Sequence, residues 1–259
     1  MGYDEAFSVA YDEWWPHVTG DVAFYTGLAG EAAGPVVELA VGNGRVAIPV
    51  ARAVGQRVIG LDSSPAMLEQ ARTRADSAGV ELDLREADMR DLRLDEPAGL
   101  IYCPARALLH LATWADRRRT FERVAASLRP GGRFAWNAFA FDHHLAARID
   151  GVRQDEPQPH TIRYSVGDNR TDIIRDDGVR ISLWWATKNE WLGLLDVAGL
   201  EPEALYGGFA GEPFTENSTE YVFVARRPAH PVRTANTTTG SWASRAHRVP
   251  SGGGTGWCE

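Results

Sequence analysis

Two glycines and a downstream aspartate are the residues whose types and spacing most directly indicate chemistry. Gly42 and Gly44 follow the apolar run VVELAV, and Asp62 lies 18 residues beyond Gly44. Glycines at the top of a parallel sheet let the backbone turn tightly and approach a ligand without a Cβ clash. The next helix then offers free N–H groups at its start, and a carboxylate at the end of a second strand can accept both hydroxyls of a ribose. This spacing predicts a site for a ligand that contains a nucleoside.

Two further acidic positions refine the kind of nucleoside. Glu38 precedes the glycine turn, where a carboxylate would repel a pyrophosphate and suit the amino group of an amino-acid-bearing nucleoside. Asp88 and Met89 end a third predicted strand, where the side chain of Asp88 can take the exocyclic amine of adenine and Met89 can contact the ring. The pattern Gly42-x-Gly44-x-x-Ala47 also satisfies the dinucleotide fingerprint, so a dinucleotide ligand stays open at this point.

The elements that position these residues follow from the alternation of apolar and helical runs. We predict strands at 36–41, 56–62, 80–88, 99–105 and 132–141, and helices from about 44, over 65–79 and over 116–128. The second helix has Ser64 as its N-cap and Pro65 in its first turn. Alternation of this kind predicts an α/β, Rossmann-like, doubly wound fold with a mostly parallel sheet.

The rest of the chain departs from this alternation. We expect one folded domain over 1–228, with an N-terminal helical lid at about 1–34 and a small antiparallel cap insert at about 142–188. A helix is predicted at 189–199, followed by a closing strand pair near 201–209 and 220–227. Residues 229–259 are rich in Gly, Ser, Thr and Pro, and we expect them to form a disordered tail.

Composition excludes several classes of function. Of 259 residues, 44% are hydrophobic and 24% charged, and the formal charge is −8, which argues against a nucleic-acid-binding surface. Neither an apolar run of about 18 residues nor a signal-like N-terminus is present, so we expect a cytoplasmic protein without a membrane partner. Cys103 and Cys258 are too few and too far apart for a disulfide framework or a zinc cluster, so we expect no metal site.

Five stretches together resemble one known family, the class I S-adenosylmethionine-dependent methyltransferases that act on small molecules. VVELAVGNGRVAIPVA resembles the glycine-rich first motif, VIGLDSSPAMLEQAR the acidic second motif and EADMRDL the third. LRPGGRFAWNAF resembles the strand-five region and GGFAGEPFTENSTEYVFVARR the closing hairpin. The resemblance covers about residues 10–227 and implies a seven-stranded sheet with an antiparallel terminal strand. One departure is Ala40, where the family often has glycine.

The resemblance also implies roles for individual residues toward the cofactor S-adenosylmethionine. Acidic side chains would hold its polar groups, backbone would pass beside its methionine part, and several residues would flank its adenine or amino group. The residues implied in cofactor binding are Tyr11, Glu38, Ala40, Gly42, Gly44, Asp62, Ser63, Met67, Asp88, Met89 and Cys103. For Met67 and Cys103, plain packing in the core is the alternative.

Methyl transfer from a sulfonium is an in-line displacement in which the protein aligns acceptor, methyl and sulfur. The acceptor would be an oxygen or nitrogen of a small molecule. His143 and His144 follow the fifth predicted strand and are the candidate catalytic bases, with His110 a weaker one. A neutral amine acceptor would need no base. The aromatic residues of the insert, Tyr164, Trp184 and Trp185, would shape the acceptor pocket with Arg163 or fill the core of the cap.

Two other functions compete with methyl transfer. An NAD(P)-dependent oxidoreductase would share the glycine turn and the acidic strand end. A Tyr-x-x-x-Lys pair is absent, because Lys188 is the only lysine and Trp184 lies four residues before it. A non-catalytic nucleoside-binding protein on the same fold is the other alternative. The sequence does not predict an oligomeric state.

Overall fold

The computed structural model describes residues 20–229, which form two β-sheets and six helices of at least seven residues. The helices are α1 (Gly20–Gly30), α2 (Ala47–Val54), α3 (Pro65–Ala78), α4 (Trp114–Ser127), α5 (His143–Ile149) and α6 (Lys188–Ala198). The strands are β1 (Val36–Leu39), β2 (Val58–Asp62), β3 (Leu82–Glu86), β4 (Ala98–Cys103), β5 (Leu128–Phe139), β6 (Arg153–Gln154), β7 (His160–Ser165), β8 (Arg170–Arg175), β9 (Arg180–Trp184), β10 (Glu201–Tyr206) and β11 (Glu220–Arg226). The predicted lid residues before 20 and the predicted tail after 229 lie outside this range.

The large sheet has the order β10-β11-β5-β4-β1-β2-β3. Strands β1 to β5 are parallel to one another, and β11 runs antiparallel to both of its neighbours, β5 and β10. The predicted Rossmann-like, mostly parallel sheet with an antiparallel terminal strand is therefore confirmed. Because the order reverses at β1 and β4, loops after these strands diverge and leave a crevice at the carboxyl edge.

Local sequence signals explain where the helices begin and end. Ser64 accepts the N–H of Met67 at the start of α3, with Pro65 in the first turn, and the helix ends at Gly79 in the left-handed conformation. A capping box of Thr187 and Glu190 begins α6. These signals place α3 and α6 within a residue of their predicted bounds.

The boundary between α4 and β5 differs from the prediction. We expected a helix up to 128 and the next strand only from 132, but α4 ends at Ser127 and β5 begins at Leu128. The Pro-Gly-Gly segment forms an irregularity within the strand, since the pairing register jumps from Ala98–Leu128 to Leu100–Arg133. A Cβ on Gly132 would lie 2.8 Å from the carbonyl oxygen of Ala98, which explains the glycine.

A second, four-stranded antiparallel sheet of order β6-β7-β8-β9 is present in the predicted insert. We predicted two or three antiparallel strands in this insert, and β7 to β9 are those strands. The helix α5 and the strand β6 were missed because the segment 142–160 is polar and rich in proline. Asp142 is the signal that could have found α5, because its side chain accepts the N–H groups of His144 and Leu145 as an N-cap.

The core lies on both faces of the large sheet. On one face Trp136, fully buried, stacks on Phe223 at 4.7 Å and on Phe134 at 4.8 Å. On the other face Tyr25 of α1 stacks on Tyr102 of β4 at 4.9 Å. Among residues 20–229, none of the helices combines the length and the apolar character that crossing a membrane requires.

Candidate functional site

The glycine turn after β1 uses left-handed backbone at three positions. Ala40, Gly42 and Gly44 have φ values of 53°, 54° and 81°. The turn closes through a 3.0 Å hydrogen bond from Gly44 N–H to the carbonyl of Val41, and α2 begins shortly after it. Glycine adopts such φ values without steric cost, whereas the methyl group of Ala40 makes its conformation strained.

Asp62, the last residue of β2, holds this turn against the start of α3. Its Oδ2 accepts the backbone N–H of Gly42 at 2.8 Å, and its Oδ1 accepts that of Ser64 at 2.9 Å. The carboxylate thus joins the loops after β1 and β2, which are neighbours in the sheet. Both bonds are charge-assisted, which makes them stronger than bonds between neutral groups.

A cavity of about 260 Å³ opens at this edge of the sheet. Its wall comes from the loops after β1, β2, β3 and β4 and from the first turn of α4. The lining residues are Ala40, Asp62, Ser63, Ala87, Asp88, Met89, Arg90, His110, Leu111, Ala112 and Asp116. The crevice expected at the switch point of the sheet is therefore formed by these described residues.

Five of the predicted cofactor residues line this cavity: Ala40, Asp62, Ser63, Asp88 and Met89. Gly42 and Gly44 shape the adjoining turn. Met67 and Cys103 are buried, with 4% and 0% of their surface exposed, and do not line the cavity. Tyr11 lies outside the described residues. The roles of all these residues toward a cofactor stay predictions.

Glu38 lies beneath the turn rather than in the cavity wall. It is 1% exposed, and its Oε2 accepts a 2.7 Å hydrogen bond from the hydroxyl of Tyr102. Burial raises the pKa of Glu38 to about 8, against the opposing effects of the Tyr102 hydrogen bond and of Arg45. Burial thus favours the neutral carboxyl group at neutral pH, which reduces the charge repulsion expected toward a pyrophosphate, while the role of Glu38 toward a cofactor stays a prediction.

Asp88 forms hydrogen bonds with Arg90, a residue that was not predicted to belong to the site. Its Oδ1 accepts the backbone N–H of Arg90 at 2.8 Å, and its Oδ2 lies 2.6 Å from Nη2 of the same residue. Arg90 also donates to Asp116 at 3.1 Å. The hydrogen bond from Arg90 lowers the pKa of Asp88, so this side chain is a carboxylate at neutral pH.

The three histidines considered as bases occupy different surroundings. His110 lines the cavity; it keeps an exposed surface, yet the protein atoms around it disfavour the charged imidazolium and lower its pKa. His143 and His144 begin α5, are exposed, and have ring centroids 3.9 Å apart. Neither lines the cavity. Their position just beyond β5 is the predicted one, while their catalytic role stays a prediction.

A polar network at the ends of β4, β5 and β11 was also missed. The hydroxyl of Tyr25 donates to Asn137 Oδ1 at 3.2 Å, and Asn137 Nδ2 donates to Glu220 at 2.6 Å. Arg106 completes it with a 2.6 Å ion pair to Glu220, and it follows Ala105 in a left-handed turn. Arg106 and Glu220 are 114 residues apart, so no local pattern predicts the pair.

The aromatic residues of the insert pack mainly on one another. Trp185 is buried and stacks on Phe141 with ring centroids 4.1 Å apart, and Tyr164 meets Phe141 edge to face. For Trp185 this arrangement favours the packing alternative over a free wall of an acceptor pocket.

Sequence comparison matches residues 36–132 to a family model described as a methyltransferase domain. An uncharacterised protein of Mycobacterium tuberculosis is 29% identical over 154 residues, covering 54% of this chain and 52% of the relative. A carboxy-S-adenosyl-L-methionine synthase of Yersinia pestis is 31% identical over 108 residues, covering 40% and 39%. The chain therefore spans about half or less of the length of these curated relatives.

Several solved structures share the fold. The CcbJ methyltransferase from Streptomyces caelestis is 23% identical with a TM-score of 0.67, over 80% of this chain and 94% of that one. An S-adenosylmethionine-dependent methyltransferase from Clostridium acetobutylicum has a TM-score of 0.70 at 15% identity, over 86% and 98%. CalS10, an amino pentose methyltransferase from Micromonospora echinaspora, has a TM-score of 0.63 at 22% identity, over 86% and 96%.

The glycine turn and the residues that line the cavity lie within the matched range 36–132. Residues 36–132 therefore match a methyltransferase-domain model, and the described chain shares its fold with solved S-adenosylmethionine-dependent methyltransferases.

Proposed function

We propose that this protein binds S-adenosylmethionine and transfers its methyl group to an oxygen or nitrogen of a small-molecule acceptor. The observation that carries the proposal is the position of Asp62. Its carboxylate accepts N–H groups from Gly42 and Ser64 and also lines the cavity, at the strand end where Rossmann-like sites bind ribose hydroxyls.

The residues present fit this cofactor better than a dinucleotide. Three carboxylates and one guanidinium line the cavity, so its wall is acidic. An acidic wall attracts a ligand with a sulfonium and an ammonium group and repels a pyrophosphate. Met89 and Asp88 would flank the adenine, and Ala40 with the glycine turn would lie beside the methionine part. The antiparallel β11 also replaces the second mononucleotide-binding half that a dinucleotide fold requires.

The bound cofactor would supply a methyl group on a positively charged sulfur. The protein's own contribution is alignment and electrostatics. The glycine turn and Asp62 hold the nucleoside, and the acidic wall stabilises positive charge until the acceptor approaches. A hydroxyl or ammonium acceptor must lose a proton, for which His143 and His144 are the proposed bases and His110 the alternative.

The proposed acceptor class, a small molecule with an amino or hydroxyl group, has support from two sources. Neighbours in fold include an amino pentose methyltransferase and a glycopeptide N-methyltransferase. The cavity lies at the carboxyl edge of the sheet, and the Arg106–Glu220 pair joins the segment after β4 to the start of β11, where it would offer polar groups to an acceptor.

Titration calorimetry tests the cofactor. We expect saturable binding of S-adenosylhomocysteine and none of NAD. Asp62→Asn should weaken the former about 10- to 100-fold, since hydrogen bonds to a charged group contribute about 1.5–3 kcal/mol. Asp83→Asn, which removes a carboxylate paired with Arg85 and outside the cavity wall, is the matched control and should bind normally. Binding of NAD alone would establish the oxidoreductase alternative instead.

Histidine variants test the base. The acceptor is first identified as a compound in a cell extract whose mass increases by one CH2 group when the enzyme and cofactor are added. With that acceptor, His143→Ala and His144→Ala should each lower turnover without changing the affinity for S-adenosylhomocysteine. His110→Ala is the comparison. Full activity of the doubly substituted His143/His144 variant would remove both from the mechanism, and a loss confined to His110→Ala would transfer the role to the cavity histidine. Binding of the cofactor with no methylated product in any extract would favour the non-catalytic alternative.

A further inference from the structure

The segment that follows β4 begins with two left-handed residues in succession. Ala105 and Arg106 have φ values of 56° and 61°, although both carry side chains. L-residues other than glycine disfavour this region, and they stay in it only where the surrounding contacts determine it. Arg106 is then the N-cap of the 3-10 turn Ala107–His110. This segment ends at three residues that line the cavity, which are His110, Leu111 and Ala112.

A polar network holds Arg106 in this conformation. Its backbone N–H donates to Asn137 Oδ1 at 3.4 Å, and the same oxygen accepts the hydroxyl of Tyr25 at 3.2 Å. Its side chain donates through Nη2 to Glu220 Oε2 at 2.6 Å and through Nε to both carboxylate oxygens at 3.1 Å. Asn137 donates to Glu220 Oε1 at 2.6 Å. Asn137 therefore fixes the backbone of Arg106, and Glu220 fixes its side chain.

The groups that hold Arg106 are buried. Tyr25, Asn137 and Glu220 have 0%, 4% and 8% of their surface exposed. A buried ion pair contributes little to stability on balance, because apolar side chains of similar volume often replace it without loss. What such a pair can contribute is one defined geometry. Here the geometry concerns a strained segment that leads to the cavity wall.

We propose that Glu220 is a positioning residue, which holds the segment 105–112 through Arg106 and thereby sets the β4 side of the cavity for the cofactor. Neither Glu220 nor Arg106 lines the cavity, so their effect on binding is indirect. The inference rests on the proposed function, since it takes this cavity as the cofactor site. Removal of the pair should leave the fold intact and allow the turn Ala107–His110 to move.

Calorimetry with S-adenosylhomocysteine is the first test. The variant combines Arg106→Met with Glu220→Gln, which removes both charges and still offers Asn137 an amide oxygen as acceptor. Its dissociation constant should rise about 3- to 30-fold, the size expected of residues that act on a site without touching the ligand. The midpoint of its urea unfolding should stay close to the wild-type value.

The matched control combines Arg133→Met with Glu203→Gln. This pair also joins two strands of the large sheet, its atoms lie 2.9 Å apart, and its side chains are 31% and 29% exposed. Neither residue lines the cavity. The control variant should bind S-adenosylhomocysteine with wild-type affinity, because Arg133 lies near the start of β5 and Arg106 near the carboxyl edge of the sheet.

Hydrogen exchange followed by mass spectrometry tests the turn directly and needs no ligand. The N–H groups of Leu109 and Leu111 donate to the carbonyl oxygens of Arg106 and Leu108. Peptides that contain these two amides should exchange about tenfold faster in the Arg106/Glu220 variant, because the turn opens locally more often. Peptides from β1 and β2 should exchange as in the wild-type protein.

Three results would overturn the inference: unchanged affinity in the Arg106/Glu220 variant, unchanged exchange of the turn, or equal weakening of binding in the control. A lower unfolding midpoint with unchanged affinity would mean that the pair is merely structural. If the double variant does not fold, Glu220→Gln alone replaces it and is judged by the same results. Failure of the wild-type protein to bind S-adenosylhomocysteine would instead remove the proposed function, and hydrogen exchange would still decide whether Glu220 holds the turn.

Discussion

At Ala40 the backbone has a φ of 53°, although the residue carries a methyl group. The left-handed conformation costs an L-residue other than glycine about 1–2 kcal/mol. Ala40 also lines the cavity, so its methyl group occupies space next to the proposed methionine part of the cofactor. The strain is located at the turn on which the proposed function depends.

Replacing this residue by glycine should therefore stabilise the protein. We expect Ala40→Gly to raise the free energy of unfolding by about 0.5–1 kcal/mol, since relief of strain exceeds the extra entropy of glycine in the unfolded chain. Urea denaturation measures the change. Ala147→Gly, at an exposed helical position in α5, is the control and should lower stability by about 1 kcal/mol. A loss of stability in Ala40→Gly would show that the turn is not strained.

Glu38 links stability to pH because it is buried and its pKa is raised to about 8. Folded protein retains this proton above the ordinary pKa of a glutamate, whereas the unfolded chain releases it. The stabilisation is therefore complete below the unfolded pKa and is lost as pH rises toward 8. Arg45, Asp21 and Asp62 act on the same carboxyl group from neighbouring elements.

A neutral isostere should remove this dependence. Between pH 5.5 and 7.5, the wild-type protein should lose about 2 kcal/mol of unfolding free energy relative to Glu38→Gln, because each pH unit contributes about 1.4 kcal/mol per proton. Denaturation curves at the two pH values provide the comparison. Parallel pH profiles for the two proteins would mean that Glu38 is ionised in the folded state.

At the scale of elements, α1 is attached to the glycine turn by a buried ion pair. Asp21 of α1 is 1% exposed and lies 2.5 Å from Nη2 of Arg45, which follows Gly44. Arg45 also donates through Nη1 to the other carboxylate oxygen at 2.9 Å. The pair is bidentate, so it holds both the distance and the orientation of the helix relative to the turn.

Removing one member of this ion pair should strongly destabilise the folded protein. We expect Asp21→Ala to lower the free energy of unfolding by about 3–5 kcal/mol, because it removes the carboxylate that pairs with Arg45, whose side chain is only 18% exposed. Glu69→Ala, which removes half of the exposed Arg72–Glu69 pair on α3, should cost less than about 1 kcal/mol. Thermal or urea unfolding of both variants gives the comparison, and similar losses in the two would contradict the prediction.

The bounds of helices and strands could be predicted where the residues that determine them lie close by in the sequence. The caps Ser64, Thr187 and Gly79 lie within a few residues of the helices that they begin or end. The helix α5 was missed because its only strong signal is Asp142 in a polar stretch, and the start of β5 was placed four residues late because Pro130 and the two glycines after it are typical of a turn. In the protein, Pro130 and the two glycines lie within β5, because the regular pairing of β5 with β4 is interrupted at these residues.

At the scale of the whole molecule, the sheet order determines which loops meet. The loops after β1, β2, β3 and β4 converge on one cavity because these strands are parallel neighbours. The strand β11 enters between β5 and β10, which brings Glu220 next to Asn137 and Arg106. This polar network therefore consists of residues from distant parts of the chain.

The sequence by itself determined the glycine turn, the aspartate at the end of β2, and the strands and helices that carry them, because these depend on short-range backbone preferences and apolar periodicity. Only the tertiary structure decided that Arg90 pairs with Asp88, that Glu38 is buried with a raised pKa, and that Arg106 pairs with Glu220. Side-chain pairing and burial depend on every element packed around a residue, and that packing is set by contacts between segments far apart in the chain.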